Sequence, residues 1–183
     1  MDSDQTVPPD SPPSPSKEVE PSRVPIISNA VSVYLIKREH KSPAVGAPKV
    51  LLMRRADSLV GEWCQVAGRI EAGETAWQAA LRETAEEAGL TPERLYSADI
   101  CEQFYVPSQN AIWVFPVFVA FVPANQNVVL NEEHDAYEWL NPDQALDLLP
   151  YPGQRQSLRH IRDEFLVRTP CKWLEIQIPS GTE

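Results

Sequence analysis

Only three cysteines occur, Cys64, Cys101 and Cys171, widely spaced and without a CxxC pair. No disulfide framework is expected, and the thiols read as reduced, mostly packing residues. Long apolar runs are missing too: the longest, 111–124, is broken by Pro116 and Pro123 and falls short of the roughly 18 to 20 residues that span a bilayer, so no membrane partner is expected. Basic residues are scarce, 16 against 26 acidic ones for a net charge of -10, which disfavours nucleic acid as a partner. If a phosphate group binds here, a cation must help. The opening Met1-Asp2-Ser3-Asp4 has neither the basic nor the apolar region of a secretory signal, so a cytoplasmic location is the expectation. His40, His134 and His160 show no triad or metal spacing, and no GxxxxGK[ST] phosphate loop occurs, which argues against a kinase or GTPase.

What is present is enough apolar material, 43% of 183 residues, for one ordinary domain. Residues 1 to 25 hold seven of the 18 prolines and five serines but few large apolar side chains, so they are expected to form a disordered tail, with a PxxP ligand as the sharper alternative. The domain is expected over 26 to 183. Val31, Val33 and Leu35 alternate with Ser32 and Tyr34 as in a half-buried strand, and a second β-rich run covers Lys49 to Arg55. A short strand at Gln65 to Ala67 leads through a Gly-rich turn into a helix from near Thr75 to Gly89, a good C-terminal stop. Two β segments between Leu95 and Val122 are joined by Pro107-Ser108-Gln109-Asn110, with a bulge or edge expected at Pro116. A strand at Ala136 to Leu140 precedes two C-terminal helices, the second with Leu158, Ile161 and Phe165 on one face. Helices flanking a mixed sheet give the α/β class, an α/β/α sandwich.

The helix after the Gly-rich turn carries the chemistry. Glu86 and Glu87 lie about 60° and 40° either side of Glu83 on a helix, so three carboxylates are expected to share a face. Such like-charge pairs cost roughly 0.2 to 0.5 kcal/mol each, a penalty that a bound cation reverses. An oxygen-only set favours magnesium (Mg2+) or manganese (Mn2+) over zinc. Trp77, Leu81, Thr84 and Ala88 make the opposite, packing stripe. The plain alternative for Glu83, Glu86 and Glu87 is a solvated helix face.

The full string from Gly68 through Glu74, Arg82, Glu83, Glu86, Glu87 and Gly89 to Leu90 resembles the Nudix signature GX5EX7REUXEEXGU, and the resemblance extends over about residues 28 to 168. Thr84 departs from the bulky aliphatic usual there; its hydroxyl is expected to return to an i-4 carbonyl. The resemblance implies a loop-helix-loop site in which Glu83, Glu86, Glu87 and the Gly68 carbonyl hold Mg2+ or Mn2+, with Glu74 and Arg82 orienting it. It leaves the general base open between Glu83 and the loop carboxylates Glu132 and Glu133. It further implies a hydrolase that cleaves a diphosphate linkage in a small nucleotide-like substrate, and a homodimer is compatible with all of this.

The stretch Glu133 to Leu140 with Gln154-Arg155-Gln156 is similar to bacterial dihydroneopterin triphosphate pyrophosphatases. That resemblance implies a nucleoside or pterin triphosphate as substrate, with dinucleoside polyphosphates and nucleotide sugars as alternatives within the enzyme class. A non-catalytic nucleotide-binding module on the same fold is the alternative outside it. Arg55, Trp63, Tyr105 and Trp113 are the candidate substrate contacts, the aromatic ones because flat ligands need flat apolar walls.

Overall fold

The computed structural model describes residues 23–38 and 47–179, so the expected tail lies almost wholly outside the described residues, as does most of the turn that carries Pro43 and Gly46. Among the described residues nine strands are formed: β1 (Ile26–Ile27), β2 (Ala30–Lys37), β3 (Lys49–Arg55), β4 (Trp63–Cys64), β5 (Val66–Arg69), β6 (Arg94–Val106), β7 (Ala111–Val122), β8 (His134–Leu140) and β9 (Glu175–Ile176). The helices are α1 (Ala76–Ala88), α2 (Pro142–Leu148) and α3 (Pro152–Ile161), the last continuing as a π-helical turn to Val167. None of them is long and apolar enough to cross a membrane.

The sheet is mixed. β2 runs parallel to β7 and antiparallel to β3 and β5, while β8 closes the far side of β3 and β6 pairs with β7 and β9. Alternate residues of each strand feed two cores. One, with Val31, Val33 and Leu35, packs against Ala79, Ala80 and Ala88 of α1; the other, with Tyr34, Ile36 and Leu52, packs against Leu158, Ile161 and Phe165 of the α3 segment. The expected α/β/α layering follows from this division.

β2 departs from its expected half-burial. Ser32 and Tyr34 are as fully buried as Val31 and Val33, because helices cover both faces of the sheet and a strand at its centre has no solvent side. Pro116 sits opposite a bulge: between the pairs Ser97–Phe118 and Cys101–Pro116, four steps along β6 match two along β7, and Asp99 takes a left-handed φ of 58°. Of the cysteines, Cys64 packs, whereas Cys101 and Cys171 are exposed.

Candidate active site

β5, the Gly-rich turn and α1 build the site. Gln78 Oε1 accepts from the Thr75 backbone N–H at 2.9 Å and hydroxyl at 2.8 Å, fixing the helix start. Gly89, at φ 65°, ends the helix with its N–H on Ala85. Thr84 donates to the Ala80 carbonyl at 2.7 Å, so the residue that breaks the signature keeps its hydroxyl satisfied within the helix.

The three carboxylates do not share one environment. Glu83 and Glu87 are 9% and 3% exposed, turned toward β5, whereas the Glu86 side chain is 56% exposed. The packing stripe is correspondingly rotated: Ala80, Thr84 and Ala88 are fully buried, with Trp77 and Leu81 only partly so. Gly68 explains the close approach of helix and strand, since any side chain there would collide with the Glu83 carboxylate. Burial, then repulsion from Glu83 and Glu133, pushes the Glu87 carboxyl up to about 8 against a backbone hydrogen bond from Ala67. Glu83 is also raised by burial, with Arg82 opposing.

Arg82 ties the turn to the helix. Its Nε and Nη2 donate to the two Glu74 oxygens at 3.0 and 3.1 Å, Nη2 donates to the Arg69 carbonyl at 2.7 Å, and Nη1 bridges Glu83 and Glu86 at 2.9 and 2.8 Å. Glu74 also accepts from the Glu71 N–H at 3.0 Å. The Arg82 fork holds the Glu74 carboxyl below the usual carboxylate range.

A third element arrives from the loop before β8. Glu133 is half-buried and acts electrostatically on both Glu83 and Glu87, while Glu132 is exposed. Its carbonyl accepts from the Ala56 N–H at 2.8 Å, which anchors the loop to the end of β3. There Arg55 donates to the Ser58 carbonyl at 2.8 Å and lies close enough to Glu87 to stabilise its charge. His134 and Cys64 meet at 3.6 Å behind them. Burial pushes the Cys64 thiol up to about 11 and lowers His134, so the pair is a neutral packing contact.

Gly68, Glu74, Arg82, Glu83, Glu86, Glu87, Glu133 and Arg55 are thus brought together. The aromatic candidates lie elsewhere. Trp63, on β4, packs at the margin of the α3-side core. Trp113 stacks edge-on with Phe115 and donates to Gln109, and Tyr105 donates to Asn110 at the tip of the β6–β7 hairpin. Glu102, not among the candidates, is 6% exposed on β6; flanked by Cys101 and Gln103 in a mixed stretch, it carries no sequence signal that marks it as buried.

No three His, Cys, Asp or Glu among the described residues stand in ready ligand geometry, and Arg82 pairs with both Glu83 and Glu86. The donor chemistry nevertheless suits a hard divalent cation: the set is oxygen only, and two of its carboxylates are buried against each other with one raised to about 8.

The NUDIX domain family model matches residues 27–162. The chain belongs to the Nudix family. It is a Nudix hydrolase, acting on phosphorus-containing anhydrides. It is 37% identical over 115 residues to an octanoyltransferase of Myxococcus xanthus, covering 61% of this chain but 31% of that protein. It is 29% identical over 143 residues to the asymmetrical bis(5'-nucleosyl)-tetraphosphatase of Mus musculus, covering 75% of this chain and 95% of that one. Among solved structures, the E. coli dihydroneopterin triphosphate pyrophosphohydrolase superposes with a TM-score of 0.55 at 26% identity, over 75% of this chain and 94% of that one.

Proposed function

We propose that this Nudix hydrolase is a Mg2+- or Mn2+-dependent pyrophosphohydrolase that cleaves a nucleoside or pterin triphosphate to pyrophosphate and a monophosphate. The observation that carries the hydrolytic reading is the burial of Glu83 and Glu87 over Gly68, beside Glu133. Carboxylates so packed need a cation, and a phosphate chain needs the same cation to approach an acidic protein. The intact carboxylate set also opposes a non-catalytic binding module. The triphosphate reading is supported by the likeness to the E. coli pyrophosphohydrolase.

Glu83, Glu86, Glu87 and the Gly68 carbonyl would hold the cation, which when bound neutralises the diphosphate and polarises phosphorus toward attack. Arg82 holds the Gly-rich turn to α1 through Glu74 and the Arg69 carbonyl, keeping the donor oxygens in place. Arg55 supplies a cationic contact for phosphate oxygens at the end of β3. Glu133 is the base: it has no ion-pair partner among the described residues, whereas Glu83 is clamped by Arg82 and counted among the cation's donors, so Glu133 is the carboxylate left to turn toward water. Its task is to orient water and take its proton.

A second reading, hydrolysis of dinucleoside polyphosphates, is favoured by the coverage of the mouse tetraphosphatase. A substrate panel with Mg2+, resolving both products, decides between them. Pyrophosphate plus a monophosphate at the highest kcat/KM supports the triphosphate reading; two nucleotides from a dinucleoside polyphosphate at far higher efficiency replaces it.

A further inference from the structure

The β6–β7 hairpin carries an aromatic surface that the hydrolytic chemistry does not use, and the chain enters the sheet beside it. β1 runs parallel to β7, with Ile26 opposite Ile112 and Ile27 opposite Trp113, and the Pro25 carbonyl accepts from the Ile112 N–H at 2.9 Å. β7 pairs in turn with β6, Trp113 opposite Phe104 and Phe115 opposite Glu102. Residues in register on neighbouring strands, and those two apart on one strand, share a face. Ile27, Trp113, Phe104 and Phe115 are thus set side by side. The Phe115 ring stands edge-on to both aromatic neighbours, its centroid 5.4 Å from that of Phe104 and 5.5 Å from that of Trp113. Gln109 Oε1 accepts from the Trp113 indole N–H at 3.1 Å, which orients that ring. Phe104 is 46% exposed, and Ile27, Trp113 and Phe115 are only half-buried. Apolar surface left in water in this way favours whatever covers it.

The segment that arrives there has chemistry to match. Residues 1–22, outside the described residues, hold six prolines, among them Pro8-Pro9 and Pro12-Pro13-Ser14-Pro15, and join β1 through Arg23, Val24 and Pro25. Proline fixes φ near about -65°, so such a run loses little conformational entropy on docking, and its rings fit grooves walled by aromatic side chains. Lacking N–H groups to donate, it suits a side-chain face better than a strand edge. The length fits as well. Because β1 is parallel to β7, the chain comes in from the hairpin tip, and Val24 stands three residues short of the Ile27–Trp113 pair, roughly 10 Å at about 3.3 Å per residue. Residues 16–23 span up to about 25 Å at about 3.1 Å per residue, enough to bring Pro12 to Pro15 back over the rings. Tethering also holds the segment at an effective concentration on the order of millimolar, whereas a second copy of the chain meets the face only at its free concentration.

We propose that the Phe104–Phe115–Trp113 face of the hairpin is a docking site for the chain's own proline block, Pro12 to Pro15, bound in cis. The PxxP pattern then has its partner within the same molecule. The aromatic face lies apart from the carboxylates of α1, so the docked segment covers the hairpin without entering the hydrolytic site. Nothing in this assignment depends on which phosphorus anhydride is cleaved.

The test follows the tryptophan indole N–H signals of the full chain by nitrogen-correlated NMR spectroscopy, the Trp113 signal being identified by its loss in Trp113→Phe. Pro12→Ala, Pro13→Ala and Pro15→Ala are combined in one chain, which removes the rigid rings without altering any residue of the sheet or helices, and its melting temperature is compared with that of the wild type. The Trp113 signal is expected to shift in the triple variant while the other indole signals stay in place. Nuclear Overhauser contacts from proline ring protons to the Trp113 and Phe104 rings are expected in the wild type and should vanish in the variant. Dilution should leave the wild-type spectrum unchanged, as a contact within one chain requires. An unmoved Trp113 signal, or a wild-type spectrum without those contacts, overturns the proposal. A Trp113 signal that moves on dilution, with a dimer seen by light scattering, also overturns it and assigns the face to a second copy of the chain.

Discussion

Both faces of the sheet bury carboxylates, and they do so in different ways. Under α1, Glu83 and Glu87 repel each other and Glu133, with Arg82 compensating Glu83 from one side. Under α3, Glu102 is alone and surrounded by the neutral hydroxyls of Tyr34, Ser32 and Ser157. Burial raises all three carboxyls, so desolvation does not tell the faces apart. Like charge does. Among the described residues, only the α1 face sets buried carboxylates against one another, which is why that face and not the other suits a cation.

The largest expected effect separates the faces by activity. Glu83→Gln or Glu87→Gln should lower kcat by at least on the order of 100-fold with the fold intact by circular dichroism, the scale of losing one preorganised charge contact; chelation of divalent cations should abolish turnover. Unchanged turnover in both variants would sink the metal-site assignment. Next, Tyr34→Phe removes the hydroxyl that serves Glu102 and should cost about 1 to 3 kcal/mol in urea unfolding, the penalty of a buried acceptor losing its donor. Its response to Mg2+ should match the wild type, and a lost response would show that the two faces are not independent.

A smaller effect is the pH dependence of stability in chelator. Glu87 is raised from 4.5 to about 8, so between those values the folded chain keeps a proton that the unfolded chain releases. Stability from this group is fully present below about 4.5 and is lost as pH rises through about 8. The melting temperature should therefore fall across that window, Glu87→Gln should flatten the fall, and Mg2+ should oppose it. A melting temperature that climbs over the same range would contradict the burial-driven shift. The smallest effect is expected from removing residues 1–22, which carry few apolar anchors: kcat/KM should stay within about twofold. A much larger loss would tie that segment to the site.

Local rules made the reaction end of the molecule legible. Gly68 to Leu90 is contiguous, so helix periodicity alone placed Glu83, Glu86 and Glu87 within a turn of one another, and Thr75 and Gly89 mark the observed ends of α1. The alternation in β2, the hairpin at Pro107 to Asn110 and the irregularity at Pro116 are equally local. The sequence by itself thus determined the order of the longer elements and the candidate hydrolytic residues, but not the two-residue strands β1, β4 and β9. Only the tertiary structure decided which carboxylates are buried, because exposure depends on what packs across: β5 covers Glu83 and Glu87 but leaves Glu86 in solvent. It alone brought Glu133 and not Glu132 to α1, and gathered Tyr34, Gln65, Glu102 and Gln154 from four separate stretches of the chain. Contacts across such separations, 68 residues from Tyr34 to Glu102, leave no periodic trace in a single chain, since side-chain spacing encodes only neighbours along one helix or strand.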